Sequence, residues 1–306
     1  MSTPPSGVQF ELRHGEQAAS IVEVGGGIRE YTHGGRPVLE SYPLGSMCDG
    51  AHGAPLIPWP NRLAEGRYSF EGQEHQLALN EPERSNAIHG LLRWRPWSAS
   101  EQSDPGVVVV GTRLLPLAGY PFALEVEIRY ELGDDGLTVL TSARNIGEHA
   151  CPYGAGQHPY LSPGDGPIDV CTLELPAATR VLVDERHQVP VGREPVQGTR
   201  FDFREARRIG EDQIDDAFTD LTRNADGRAT ARLGCGDGTT VELWVDEHHR
   251  YLQAFTGDTL APGRRRTALA LEPMTCPANA FASGDGLLRI EPGRSVTTTW
   301  GVRLRH

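Results

Sequence analysis

The sequence predicts an all-β protein, a large antiparallel β-sandwich. Three observations carry this expectation. Apolar and polar residues alternate at period two through several segments. Glycine and proline, 36 and 23 of the 306 residues, punctuate the whole chain and leave short apolar runs between them. Convincing helical periodicity is scarce. Strand alternates with turn and not with helix, which disfavours a parallel sheet with crossover helices. Two antiparallel sheets that bury each other's apolar faces are the natural alternative.

The clearest strand is Leu124, Val126, Ile128, Tyr130 and Leu132, interleaved with Glu125, Glu127, Arg129 and Glu131. Gly133-Asp134-Asp135-Gly136 follows as a turn, and Leu137–Leu140 begins a return strand. The two read as a hairpin with a loop longer than the tightest type. The same alternation recurs at Val241, Leu243 and Val245, and from Val296 to Leu304. Further strands are expected at Ser20–Val24, Tyr68–Phe70, Val107–Arg113, Arg180–Val183, Tyr251–Phe255 and Ala268–Met274. Phe203–Ile209 and Asn279–Ala282 are the two short helix candidates. No repeat, low-complexity tract or composition shift marks a boundary, so residues 1–306 are expected to form a single domain.

With 29 basic and 41 acidic residues the formal net charge is −12. Such a chain repels phosphate backbones, so no nucleic-acid partner is expected. Every basic residue is arginine. The absence of lysine excludes lysine Schiff-base chemistry, covalent pyridoxal phosphate and a lysine-bearing phosphate loop. The five cysteines, Cys48, Cys151, Cys171, Cys235 and Cys276, are widely spaced and form no CxxC pair. They suggest neither a zinc ribbon nor a disulfide scaffold, and they favour a reducing compartment. Met1–Glu11 lacks the features of a signal peptide, and no stretch approaches 18 apolar residues. A cytoplasmic protein with no membrane partner is expected.

Four segments combine turn residues with titratable groups. They are Pro55–Leu63, Ser85–Leu92, Gly154–Tyr160 and Leu269–Pro277. Glu272 follows the apolar run Ala268–Leu271 and precedes Pro273, which is expected to end the strand. A carboxylate at the end of a buried strand is desolvated, and desolvation raises its basicity, as a general base needs. Pairing with an arginine is the alternative role. His158 lies between Gly156 and Pro159, where the glycines admit a ligand or a neighbouring backbone. It is a candidate proton donor, with a purely structural histidine as the alternative. His89, between Ile88 and Gly90, has similar standing, and Arg62 in the Pro- and Trp-rich loop reads by itself as a surface or ion-pair arginine. Trp59, Trp94, Trp97, Tyr120 and Tyr160 fall in or beside these loops. Their faces suit the C–H face of a pyranose. Asp215-Asp216 reads as a turn into a strand, and Arg264-Arg265-Arg266 as a solvated loop. The adjacent His248-His249 pair makes a poor metal site, and none is expected.

These segments together resemble the aldose 1-epimerase (galactose mutarotase) family. The ordered set is Asn61-Arg62-Leu63 with Gly66 and Tyr68-Ser69-Phe70, then Asn86-Ala87-Ile88-His89-Gly90, then His158-Pro159-Tyr160, then Asp215 before Phe218, then Glu272-Pro273-Met274-Thr275. The Pro-Trp-Pro loop before Asn61 is similar to a shorter bacterial branch. The resemblance implies a galactose mutarotase-like supersandwich with a sugar cleft on one sheet. It implies that Glu272 is the general base at the anomeric hydroxyl and His158 the general acid at the ring oxygen. Arg62, His89, Asp215, Asn61 and Tyr160 would bind the sugar. No cofactor or metal is required.

The expected activity is interconversion of the α and β anomers of a free hexose, by a monomer or homodimer. The galactose enzymes resemble Asn-Asn-His-Leu-His-Gly-Gly around the first histidine, where this chain has Ser85–Leu91. Galactose specificity is therefore not implied. The alternatives are an epimerase of a phosphorylated or otherwise modified hexose, and a catalytically silent carbohydrate-binding sandwich. A glycoside hydrolase would need two carboxylates, and the sequence nominates one.

Overall fold

The computed structural model describes residues 3–100 and 104–305. Of the Met1–Glu11 segment, Met1 and Ser2 lie outside the described residues. Two large antiparallel sheets dominate. The path of the twelve-stranded sheet runs through Gln9–His14, Gln17–Val22, Ile28–His33, Arg36–Leu39, Tyr160–Leu161, Leu269–Met274, Tyr251–Phe255, Asp215–Leu221, Ala177–Val183 and Pro190–Pro195. Gly156–Gln157 attaches beside Leu269–Met274 and carries Pro55–Leu56. The nine-stranded sheet centres on Val107–Leu114, Leu124–Gly133, Gly136–Asn145, Ser295–Arg305 and Thr240–Val245.

Period-two alternation decides which side chains meet between the sheets. Val126, Ile128 and Tyr130 are fully buried, while Glu127, Arg129 and Glu131 are exposed. From the other sheet Leu12, Ile21, Tyr31, Leu252 and Leu271 join the same core cluster. Each such side chain contributes roughly 1.5–3 kcal/mol by leaving water. The inner face of the large sheet is thus used up in the core. Its outer face is free to build a site.

The structure corrects several local expectations. The hairpin after Leu132 is tight: Gly133 pairs with Gly136, and Asp134-Asp135 alone form the loop. Phe203–Ile209 is not helical. Arg207–Arg208 pairs as a short edge strand with Thr172–Leu173, and Phe203 and Ile209 are buried in the core. Core burial outweighs the local helix propensity of this arginine-rich stretch. Ala280–Ser283 does form one helical turn. Pro273 does not end its strand, since it pairs opposite Leu252 and the strand continues to Met274. Asp215 begins its strand directly. The arginine run is only in part solvated: Arg264 pairs with Glu40 at 3.2 Å, and Arg266 with Asp169 and Asp258 at 2.5 and 2.9 Å. Among the described residues no helix is long and apolar enough to cross a membrane.

Candidate active site

Residues directly opposite in a sheet point to the same face. Gln253 lies opposite both Ala217 and Glu272. The next row is Asp215, Phe255, Ala270 and Tyr160. Leu252, Ala254, Leu269 and Leu271 turn into the core, so both rows lie on the outer face. His158 is two residues before Tyr160 and shares its face. It completes the row of Glu272, and its Nε2 lies 3.3 Å from Glu272 Oε1.

Loops close over this face. Arg62–Ala64 pairs with Asn86–Ile88, and the His89 amide donates to the Asn61 carbonyl at 3.0 Å. Gly90, at φ +69°, lies so close to Ile57 that a Cβ would fall 2.1 Å from the Ile57 carbonyl oxygen. Only glycine permits this approach, and it brings His89 within 5.4 Å of the His158 ring in an edge-to-face arrangement.

The result is a cavity of about 230 Å³. All seven residues nominated from the sequence line it: Glu272, His158, Arg62, His89, Asp215, Asn61 and Tyr160. Tyr160 is held firmly. Its hydroxyl donates to the Gly50 carbonyl at 2.7 Å, and its ring stacks on His158 at 4.9 Å and on His52 at 3.7 Å. His52 in turn lies 2.7 Å from Glu40 and from Arg264. The other nominated aromatics are elsewhere. Trp59, Trp97 and Tyr120 belong to the core, and Trp94 is exposed outside this cavity. Phe255 is the aromatic that sequence reasoning missed.

Burial sets the protonation states. It raises the Glu272 carboxyl well above its usual range, and the neighbouring Asp215 charge adds to this while Arg62 opposes it. It pushes His158 down to about 3, with the charges of His52 and Arg93 adding to the effect. It also lowers His89 well below the ordinary imidazole value. Asp215 opens onto the cavity yet has protein densely packed around it. Desolvation raises its carboxyl, and Arg62 and the Gln253 amide, which donates at 2.7 Å, pull it back. Glu272 Oε2, His158 Nδ1 and His89 Nδ1 are buried with no hydrogen-bond partner in the protein.

Arg62 is fixed by Glu81, with Nε 3.0 Å from its carboxylate, and Asn86 donates to the same carboxylate at 2.7 Å. Sequence reasoning missed Glu81, Gln253 and Arg93. Gln253 had a signal, a polar residue inside the apolar strand Tyr251–Phe255. Arg93 also had one, a charge closing the run Leu91-Leu92 just beyond His89-Gly90. Neither Arg84 nor Arg264 lines the cavity; the Arg84 guanidinium donates to the Glu185 carbonyl. Among the described residues no group of three or more His, Cys, Asp or Glu is placed to hold a metal ion.

Comparison with known proteins gives the site a family. The aldose 1-epimerase family model matches residues 8–303, and the chain belongs to that family. It is an isomerase of the epimerase class. The uncharacterized protein YihR of Escherichia coli K12 is 38% identical over 296 residues, 94% of this chain and 91% of that one. The aldose 1-epimerase of the same organism is 28% identical over 213 residues, 67% of this chain and 60% of that one. Among solved structures, an aldose epimerase homologue from C. elegans superposes with a TM-score of 0.86 at 17% identity, covering 98% of this chain and 99% of that one. Galactose 1-epimerase from Lactobacillus acidophilus gives 0.81 at 21% identity, covering 96% and 93%. These two share the fold, a galactose mutarotase-like sandwich.

Proposed function

We propose that the protein interconverts the α and β anomers of a hexose with a free anomeric hydroxyl, with Glu272 as base and His158 as acid. One observation carries the reading. The ring oxygen O5 and the hydroxyl oxygen O1 are both bonded to C1. The groups that serve them must therefore lie close together, and His158 Nε2 and Glu272 Oε1 lie 3.3 Å apart. A hydrolase needs its two carboxylates roughly 5–10 Å apart across the scissile bond. A silent binding module needs no such pair.

Each partner alone prefers its uncharged form when buried. In contact they hold one proton between them, as carboxylic acid and imidazole or as carboxylate and imidazolium. The second form is the reactive one. Glu272 takes the O1 proton, the O1–H electrons form the C1=O1 bond, and the C1–O5 bond breaks. His158 gives its proton to O5. Rotation about C1–C2 presents the other face of the aldehyde, and the two roles reverse on closure. Each positioned group typically supplies about 10²–10⁴-fold. Asn61, Arg62, His89, Asp215 and Tyr160 orient the ring from the cavity wall.

Polarimetry of freshly dissolved α-D-glucose and α-D-galactose tests this. The protein should hasten relaxation to an unchanged final rotation. His158→Asn should lower kcat more than it raises KM; a change confined to KM would make His158 a binding group and not a proton donor.

A further inference from the structure

We propose that Cys235 and Cys171 form a reversible dithiol–disulfide site, at which a peroxide oxidises Cys235 and Cys171 closes the disulfide.

The sheet register brings the two together. Thr172–Glu174 pairs with Ala229–Gly234, with Thr172 opposite Gly234 and Leu173 opposite Leu233. One step further along the same register sets Cys171 opposite Cys235. Their backbone hydrogen bonds go elsewhere. The Cys171 amide donates to the Ile168 carbonyl, and its carbonyl accepts from the Ile209 amide. The Cys235 amide donates to the Thr239 carbonyl, and its carbonyl accepts from the Gly238 amide. The pair therefore stands at a non-hydrogen-bonded position, where opposite Cα atoms approach to about 4.5 Å. A disulfide spans about 4.4–6.8 Å between Cα atoms. Leu173 and Leu233, two residues along each strand, are fully buried, so both thiols lie on the inner face of the nine-stranded sheet. Neither cysteine lines the cavity that holds Glu272 and His158.

The two thiols differ in access and surroundings. Cys171 is fully buried in the core, and Cys235 is half-buried at its margin. Arg36 flanks Cys235. Its Nε donates to Asp237 at 2.8 Å and its Nη1 to the Pro37 carbonyl at 2.9 Å, while Nη2 is buried with no hydrogen-bond partner. A thiolate at Cys235 gives that donor an acceptor. The hydrogen bond from Cys171, and then the Arg36 guanidinium, hold Cys235 below the ordinary thiol range against the opposing effect of burial. The same contact, with burial, pushes Cys171 up. Cys235 is thus the attacking thiol and Cys171 the resolving one. Of the other three cysteines, Cys151 and Cys276 are buried, and burial pushes Cys48 up to about 12.

The Cys235 thiolate attacks one peroxide oxygen. The S–O bond forms, the O–O bond breaks and hydroxide leaves, so the sulfur loses the two electrons that the peroxide gains. The Cys171 sulfur then displaces hydroxide from the sulfenic acid. The S–S bond forms, the S–O bond breaks, and the Cys171 proton leaves in water. An external dithiol reverses the oxidation by exchange.

The test treats the reduced protein with hydrogen peroxide, blocks its remaining thiols with N-ethylmaleimide, and cleaves on the N-terminal side of aspartate before mass spectrometry. This cleavage puts Cys171 in peptide 169–183, apart from Cys151, and Cys235 in peptide 226–236. The two peptides should appear joined, and dithiothreitol should release them. At pH 7 Cys235 should react about tenfold or more faster than Cys48, as its larger thiolate fraction requires. Cys171→Ser should leave Cys235 as a sulfenic acid that dimedone captures, and Cys235→Ser should leave Cys171 a free thiol. The wild-type peptides decide the matter even if a variant fails to fold. Peptides 169–183 and 226–236 that stay unjoined, with Cys48 oxidised first or Cys235 carried to the sulfinic acid, overturn the proposal.

Discussion

The pKa shifts of Glu272 and His158, on which their proposed roles depend, come from burial first and from neighbouring charge second. The charge is nonetheless adjustable. Asp215 raises Glu272 because a second negative charge opposes ionisation, so Asp215→Asn should lower the Glu272 pKa. Asparagine can still accept the Gln253 amide bond. The acid limb of the pH–rate profile should move to lower pH by up to about one unit, and an unmoved limb would show that Asp215 does not act on the base. At this scale the sequence was informative about residue type and, for Glu272, about desolvation. Glu272 was nominated for the apolar run before it, and His158 for the glycines around it and the near-neutral pKa of an imidazole. That they touch depends on the pairing of Tyr160 with Ala270, two strands 110 residues apart in the chain. No local pattern encodes that register.

The elements show why some expectations failed. The twelve-stranded sheet places its polar site residues on the outer face by simple alternation, and alternation is legible. The expected strand Ala268–Met274 agrees with the observed Leu269–Met274, but Pro273 stays paired within it and does not end it. A proline needs only to lack an obligatory ladder donor to remain in a strand. The loops around His89 depend on tertiary contacts that the sequence hints at only through Gly90. Gly90→Ala would place a Cβ against the Ile57 carbonyl in a left-handed backbone conformation. It should lower stability by at least about 1–2 kcal/mol. It should also cut activity by displacing His89. A denaturation midpoint equal to that of the wild type would contradict this account of the loop. The stack of Glu40, His52 and Arg264 behind Tyr160 was invisible for a similar reason, because it joins residues more than 200 positions apart.

For the whole molecule, the burial of neutral histidines predicts how stability depends on pH. An unfolded imidazole takes up its proton near pH 6.5. In the native state His89 and His158 are held well below that. Between the two values the unfolded chain binds more protons, so each histidine costs stability as pH falls below about 6.5. Glu272 works the opposite way. Its native pKa is raised, so its contribution is present at low pH and is lost as pH rises above the ordinary carboxyl value. Comparison with a variant isolates one histidine. His89→Asn suits the positive φ of that position, 62°. It should lose less stability than the wild type between pH 7 and pH 5, by up to about 1.4 kcal/mol per pH unit. Parallel stability curves would contradict the assignment of His89 as a neutral buried ring.

Anomer exchange at equilibrium is the most direct test of the central claim, that a Glu272–His158 pair opens and recloses the sugar ring. Two-dimensional exchange NMR on the anomeric protons of glucose and of galactose reads this rate without perturbing the equilibrium. The account predicts exchange cross-peaks with the wild type, well above those in buffer, for at least one of these sugars. It predicts their loss by roughly a hundredfold or more in Glu272→Gln with the fold intact. Cross-peaks that survive Glu272→Gln, or exchange at the buffer rate for every sugar, would contradict it.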